Sequence, residues 1–158
     1  MKRTGLILIL LSLLTVSTAS AAHKTPPAPP AQTKCPVCGM FVAKYPDWTS
    51  VIVYKDSATV YFDGPKDLFT YYLNPGKYDT ARKQVDKAAL YVKDYYSLAF
   101  IDGRQAFYVI GSNVLGPMGK ELVPFATRAN AEAFLLDHKG KKVLGFGEIT
   151  PATLNALE

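Results

Sequence analysis

The chain has 158 residues, 49% of them hydrophobic and 20% charged, with 18 Lys and Arg against 13 Asp and Glu. That length suits one domain or two small subdomains. Four of the basic residues (Lys2, Arg3, Lys24 and Lys34) precede residue 35 and every acidic residue follows it, leaving 14 basic against 13 acidic from Cys35 onward. A nucleic-acid face needs clustered Lys and Arg to displace phosphate counterions, so that class is set aside.

Lys2 and Arg3 precede an apolar run, Leu6 to Val16, interrupted only by Ser12 and Thr15, and small residues follow through Ala22. A positive end, an apolar stretch and an A-x-A site make a secretory signal, with cleavage expected after Ala21 or Ala22. The run is shorter than the roughly 20 residues that span a bilayer. Residues 23–34, HKTPPAPPAQTK, read as an extended proline-rich tether with no large apolar side chain to build a core. The folded part is expected over residues 35–158.

Within it, Thr49–Tyr54 and Ala58–Phe62 are β-branched and aromatic runs about the turn Lys55-Asp56-Ser57, which predicts a hairpin. Asp63 reads as the cap of a short helix with Pro65 in its first turn and Leu68, Phe69, Tyr72 and Leu73 as apolar positions. Asn74-Pro75-Gly76 ends it. Thr80–Ala89 is polar with some helical character. Strands are predicted at Leu90–Val92, Leu98–Ile101 and Ala106–Ile110, with a turn at Asp102-Gly103 between the last two. Asp94 reads as a turn residue. Thr127 caps a helix over Arg128–His138, stopped by Gly140. Val143–Ile149 is a strand, and Thr150-Pro151 opens a last short helix.

Val60-Tyr61-Phe62 followed by a helix around Phe69 echoes Leu122–Phe125 followed by a helix around Phe134. Each half would then be strands plus one helix, an α+β pattern rather than alternating βα units. The ten tyrosines, all between Tyr45 and Tyr108, fit half-buried strand faces. No Ser/His/Asp grouping or phosphate-cradling glycine loop is visible.

The chemistry concentrates in Cys35-Pro36-Val37-Cys38-Gly39-Met40. Haem attachment requires His after the second Cys, where Gly39 stands. A thioredoxin-like site places its cysteines between a strand and a helix, and here a proline-rich segment precedes them. Structural zinc wants four ligands. The folded region offers two Cys and one His, His138, so zinc would need a carboxylate or a second chain. Monovalent copper is satisfied by two or three soft donors, and Met40 supplies a thioether beside the thiols. Met118, in Gly116-Pro117-Met118-Gly119, is a second thioether in a loop; the other reading is adaptable filler at the core edge. His138 either bonds the last carbonyls of its helix or ligates metal. His23 could hold Cu(II) through imidazole and amine, an incidental property on a tether.

CPVCGM, taken with YFDGPKDLF, AFYVIGS, GSNVLGPMGKELVPFATRANAEAFLLDHKG and the closing KVLGFGEI, resembles the NosL family, the accessory proteins of nitrous-oxide reductase. The resemblance covers Cys35 to Ile149. It implies a small exported α+β protein of two related ββαβ-type halves, approximately 35–93 and 94–158, in a fold shared with organomercurial lyases. It further implies a protein that is not an enzyme, binds one Cu(I) through sulfur and nitrogen donors, and delivers it to a copper enzyme, nitrous-oxide reductase or a similar one. A membrane ABC transporter is the second implied partner. Carried over by position, the ligands are Cys38, Met40 and Met118, with Cys35 as an added ligand or redox partner and His138 in the place of the family's histidine. Many members are lipoproteins, whereas no cysteine stands at the cleavage site here. The expected state is a monomer or weak dimer, free in the periplasm. Two rivals stay open: a CxxC thiol oxidoreductase or organomercurial-lyase-like enzyme, which requires a depressed thiol pKa, and a structural zinc module.

Overall fold

The computed structural model describes residues 25–81 and 86–158. The expected signal segment, His23 and the middle of the polar stretch 80–89 lie outside them. Among the described residues, no helix is long and apolar enough to cross a membrane.

The expected hairpin forms between β1 (Ser50–Tyr54) and β2 (Thr59–Phe62), in the register Ser50↔Phe62 to Val53↔Thr59. Ser57 takes up the reversal in the left-handed region, φ 67°. Helix α1 (Pro65–Leu73) follows, then the one-turn α2 (Pro75–Tyr78), β3 (Lys87–Lys93) and β4 (Phe100–Asp102). The sheet runs β2-β1-β3-β4, antiparallel throughout. β1 is interior, and Val51 and Ile52, on its opposite faces, are both fully buried. Two expectations change here. Residues 87–89 are strand rather than helix, because pairing with β1 supplies their backbone partners. Asp102-Gly103 does make a turn, but it leads from one sheet into another instead of closing a hairpin.

The second sheet is built from β5 (Phe107–Ile110), β8 (Val123–Phe125) and β9 (Lys142–Gly145) in the order β8-β5-β9. Helix α3 (Arg128–Asp137) connects β8 to β9. Strand one in the middle, strand two and the post-helix strand at its sides is also the plan of β1, β2, α1 and β3. The fold is therefore α+β with two ββαβ units, β4 being an extra edge strand on the first. Between β5 and β8 a two-stranded projection, β6 (Leu115–Gly116) and β7 (Gly119–Lys120), carries Pro117 and Met118 at its tip.

Thr127 Oγ1 accepts the Asn130 N–H at 3.2 Å and caps α3 as its sequence predicts. At the other end the left-handed residue is Lys139 (φ 55°), and Gly140 closes the helix by donating its N–H to Leu135 O at 2.7 Å. The strand expected to reach Ile149 stops at Gly145, where Phe146–Glu148 coil into a 3-10 turn ahead of α4 (Pro151–Asn155).

Adjacent residues of β5 face opposite ways, and this divides the interior. Tyr108 enters the larger core with Phe69, Leu68, Ile52, Leu90 and Leu144, its ring edge-on to Phe69 at 5.1 Å. Val109 enters a smaller one with Val123, Phe125, Ala131 and Phe134 beneath α3. The second sheet thus packs on the first unit with one face and on its own helix with the other. Burying each such side chain contributes about 1.5–3 kcal/mol relative to leaving it in water.

Residues 25–34 run along the domain. Pro26 is buried, Pro29 lies by Ala43 and Pro46, and Thr33 O accepts the Val42 N–H at 3.0 Å.

Candidate metal centre

Cys35 and Cys38 sit on a tight loop closed by main-chain bonds. Cys35 N–H donates to Met40 O at 2.8 Å and Gly39 N–H to Cys35 O at 2.9 Å, while Lys34 and Phe41 bridge across its base. Gly39 has φ +80°, a conformation open to glycine and costly for other residues. The loop aims main-chain N–H groups at its own sulfurs: Cys38 and Val37 at the Cys35 sulfur, Met40 at that of Cys38. Such a loop orients two sulfurs to one side before any ligand arrives.

Facing the loop is the start of α1. Pro65 occupies the first helical position, where its missing N–H costs nothing. Asp63 lies just before the helix and Asp67 in its first turn, where carboxylates are favoured by the helix dipole. Both are buried. The Cys35 thiol donates to Asp67 Oδ2 at 3.2 Å, and the Cys38 thiol points at both oxygens of Asp63 at 3.4 Å. Ligand atoms of all four residues lie within 4.8 Å of one another. Among the described residues no other group of three or more His, Cys, Asp or Glu is placed to hold a metal ion.

Asp63 was expected to cap α1. Instead Gly64 is the capping residue and donates no side chain, and Asp63 is turned to the Cys38 sulfur. Asp67 was not singled out from sequence. The available signal was the i, i+4 pair Asp63 and Asp67 about Pro65, which puts two carboxylates on one side of a helix start. Asp94, by contrast, is the turn residue it reads as: its Oδ1 accepts the N–H groups of Tyr96 and Ser97.

The cysteines are free thiols, Cys35 buried and Cys38 half-buried. Burial, then the neighbouring Asp67 carboxylate, push Cys38 up to about 12. Burial drives Cys35 further in the same direction. Burial also raises Asp67. In the metal-free protein the sulfurs are therefore protonated at neutral pH and bonded to carboxylate oxygens. A redox-active or nucleophilic cysteine needs the opposite environment, one that favours thiolate.

Cys38 is the way in. It lines a cleft of about 560 Å³ together with Asp67, Lys66, Met118, Lys120 and Leu157. The cleft joins the thiol loop to Met118, which is 44% exposed at the tip of the β6–β7 projection. Met40 is half-buried, and its main-chain carbonyl and N–H both serve the thiol loop. His138 stands elsewhere. Its ring stacks on Phe134 at 4.3 Å beneath α3, and its Nδ1 lies 3.2 Å from Asn113 Oδ1.

Two thiols, two carboxylates and a reachable thioether form a donor set for a cation. The sequence model of the NosL family matches residues 26–154. The chain is 30% identical over 129 residues to the copper-binding lipoprotein NosL of Stutzerimonas stutzeri, an alignment covering 77% of this chain and 64% of that protein. It thus spans just under two thirds of that relative's length. The crystal structure of the copper chaperone NosL from Shewanella denitrificans matches with a TM-score of 0.69 at 29% identity, covering 82% of this chain and 98% of that one. The matched region takes in the thiol loop, both ββαβ units and the methionine projection, and the chain belongs to the NosL family.

Proposed function

We propose that the protein is an exported chaperone that binds one Cu(I) at Cys35 and Cys38, with Met118 as a third donor, and passes it to a copper enzyme. The observation that carries this reading is a pair of preoriented free thiols, of which Cys38 opens onto a cleft that also holds a thioether. Sulfur donors select Cu(I) over harder ions. Relatives named for copper binding and copper chaperoning support the same metal.

Asp67 and Asp63 act as proton partners. Both accept hydrogen bonds from the thiols of the empty site, and Asp67, raised by burial, gives a displaced proton a nearby acceptor. Met118 on an exposed tip suits exchange, because a ligand that can swing away leaves a coordination position for the partner's donor. The basic end, the apolar run Leu6 to Val16 and the A-x-A site, together with the lipoprotein relative, support export to the periplasm. Nitrous-oxide reductase is the recipient the family resemblance favours, with an ABC transporter at the membrane as second partner. Met40, two residues beyond Cys38, and His138, aligned with the family's histidine, are the further candidate ligands; Cys38 and Met118 line one cleft and are favoured.

One observation favours a second metal. Two Cys and two Asp within 4.8 Å supply the four ligands that zinc takes in a tetrahedral site. Anaerobic titration of the reduced protein against a chromophoric Cu(I) chelator, with and without added Zn(II), separates the two. One tightly held Cu(I) per chain that Zn(II) does not displace supports the chaperone. Zn(II) held in preference to Cu(I) would replace it with the zinc reading.

A further inference from the structure

Glu121 is wholly buried at the end of the β6–β7 projection, yet it contributes nothing to the donor cluster. Its carboxylate reaches across to the other ββαβ unit. Oε1 accepts the Lys66 N–H at 2.5 Å and the Leu122 N–H at 2.9 Å. The Lys66 N–H is one of the free donors of the first turn of α1, so Glu121 caps that helix from 55 residues away. The approach is close enough to require glycine on both sides. A Cβ at Gly64 would stand 2.5 Å from Glu121 Oε2, and one at Gly116 would stand 2.9 Å from Glu121 Cγ. The stitch is doubled outside, where Lys66 Nζ donates to Met118 O at 3.0 Å.

The helix turn so gripped is the one that carries Asp67, and the projection so gripped is the one that carries Met118. We propose that Glu121 is a positioning residue that holds the Met118 projection against the first turn of α1, so that the thioether stands ready for a metal on the Cys35–Cys38 loop. This rests on the reading of the site as a Cu(I) site. A buried carboxylate is costly, since burial pushes it up to about 8. Leu or Met at 121 would fill the space without that cost but could not cap α1 from the projection.

The test is a double-mutant cycle on the full chain, read as Cu(I) affinity by chelator competition and as sulfur neighbours by X-ray absorption. In the native background Met118→Ala is expected to weaken Cu(I) binding about tenfold, and in the Glu121→Ala background less than about twofold, because the thioether is already out of place. Glu121→Ala alone should lose one sulfur neighbour, while Glu121→Gln, which keeps an acceptor oxygen, should restore it. If Glu121→Ala does not fold, Lys66→Leu removes the outer stitch and should lower the Met118 contribution in the same direction. Equal costs of Met118→Ala in both backgrounds would overturn the proposal, as would an unchanged sulfur count. Failure of the underlying reading looks different: the unaltered protein would then bind no Cu(I) at all.

Discussion

The Cys35 thiol and the Asp67 carboxylate share a buried S–H···O hydrogen bond of 3.2 Å, which ties the first loop of the fold to the first turn of α1. It couples metal binding to proton movement. A cation that takes the sulfur must release its proton, and the oxygen next to it is the nearest place for that proton to go.

Copper affinity should therefore rise with pH. Cys38 is pushed up to about 12 and Cys35 is raised as well, so both are protonated between pH 6 and 8. Two thiolate ligands displace two protons, which gives up to about a hundredfold per pH unit, less whatever Asp67 retains. Competition titrations at three pH values measure the slope. In the empty protein the sign reverses. Thiols raised by folding contribute stability that is complete below their unfolded value, about 8.5, and lost as pH rises beyond it.

Cys38→Ser should weaken Cu(I) binding by more than about 100-fold, the upper end of what loss of a supporting group costs. Cys35→Ser should do the same, with an intact far-UV spectrum. Chelator competition on each purified variant checks this.

Asp67→Asn should move binding and stability in opposite directions. Burial already disfavours the ionised Asp67, so a neutral amide of the same shape removes a cost from the empty protein. A rise in Tm of about 2–4 °C, the shift for 1 kcal/mol in a chain of this size, is expected near pH 7. Copper affinity should fall about 10–100-fold with the loss of a supporting group. Thermal scans of the empty protein and Cu(I) competition give the two readouts.

Away from the site, Lys87 and Asp79 form a buried ion pair at 2.6 Å, and the Tyr54 hydroxyl donates to the same oxygen at 2.5 Å. Burial opposes ionisation of Asp79, but Lys87 and Tyr54 outweigh it and hold its carboxyl below the ordinary value. That stability is present above the unfolded carboxyl value, about 3.9, and disappears as pH falls through the folded one. Lys87→Met should cost about 3–5 kcal/mol by urea denaturation, since it leaves a buried carboxylate without its cation.

What could be read without coordinates was local. CPVCGM announces a two-thiol loop because its six residues make that loop by themselves, down to the left-handed Gly39. The β1–β2 hairpin and the Thr127 cap are legible for the same reason. Partners far apart in the chain are not. Asp67 meets Cys35 across 32 residues and Glu121 meets Lys66 across 55. Nothing in either segment alone distinguishes such a carboxylate from one that faces water. Asp102-Gly103 misleads in a related way: the turn is real, but which strand pairs with β4 is decided by β3, not by the turn. His138 reads either as a helix-end residue or as a donor, since it shares a face with Ala131 and Leu135, and its helix carries it onto Phe134.

The most direct measurement is X-ray absorption at the copper edge of the reduced protein loaded with one equivalent of Cu(I). The expected result is three sulfur neighbours, falling to two in Met118→Ala and collapsing in Cys38→Ser. A shell of nitrogen and oxygen alone, unchanged by either substitution, would contradict it.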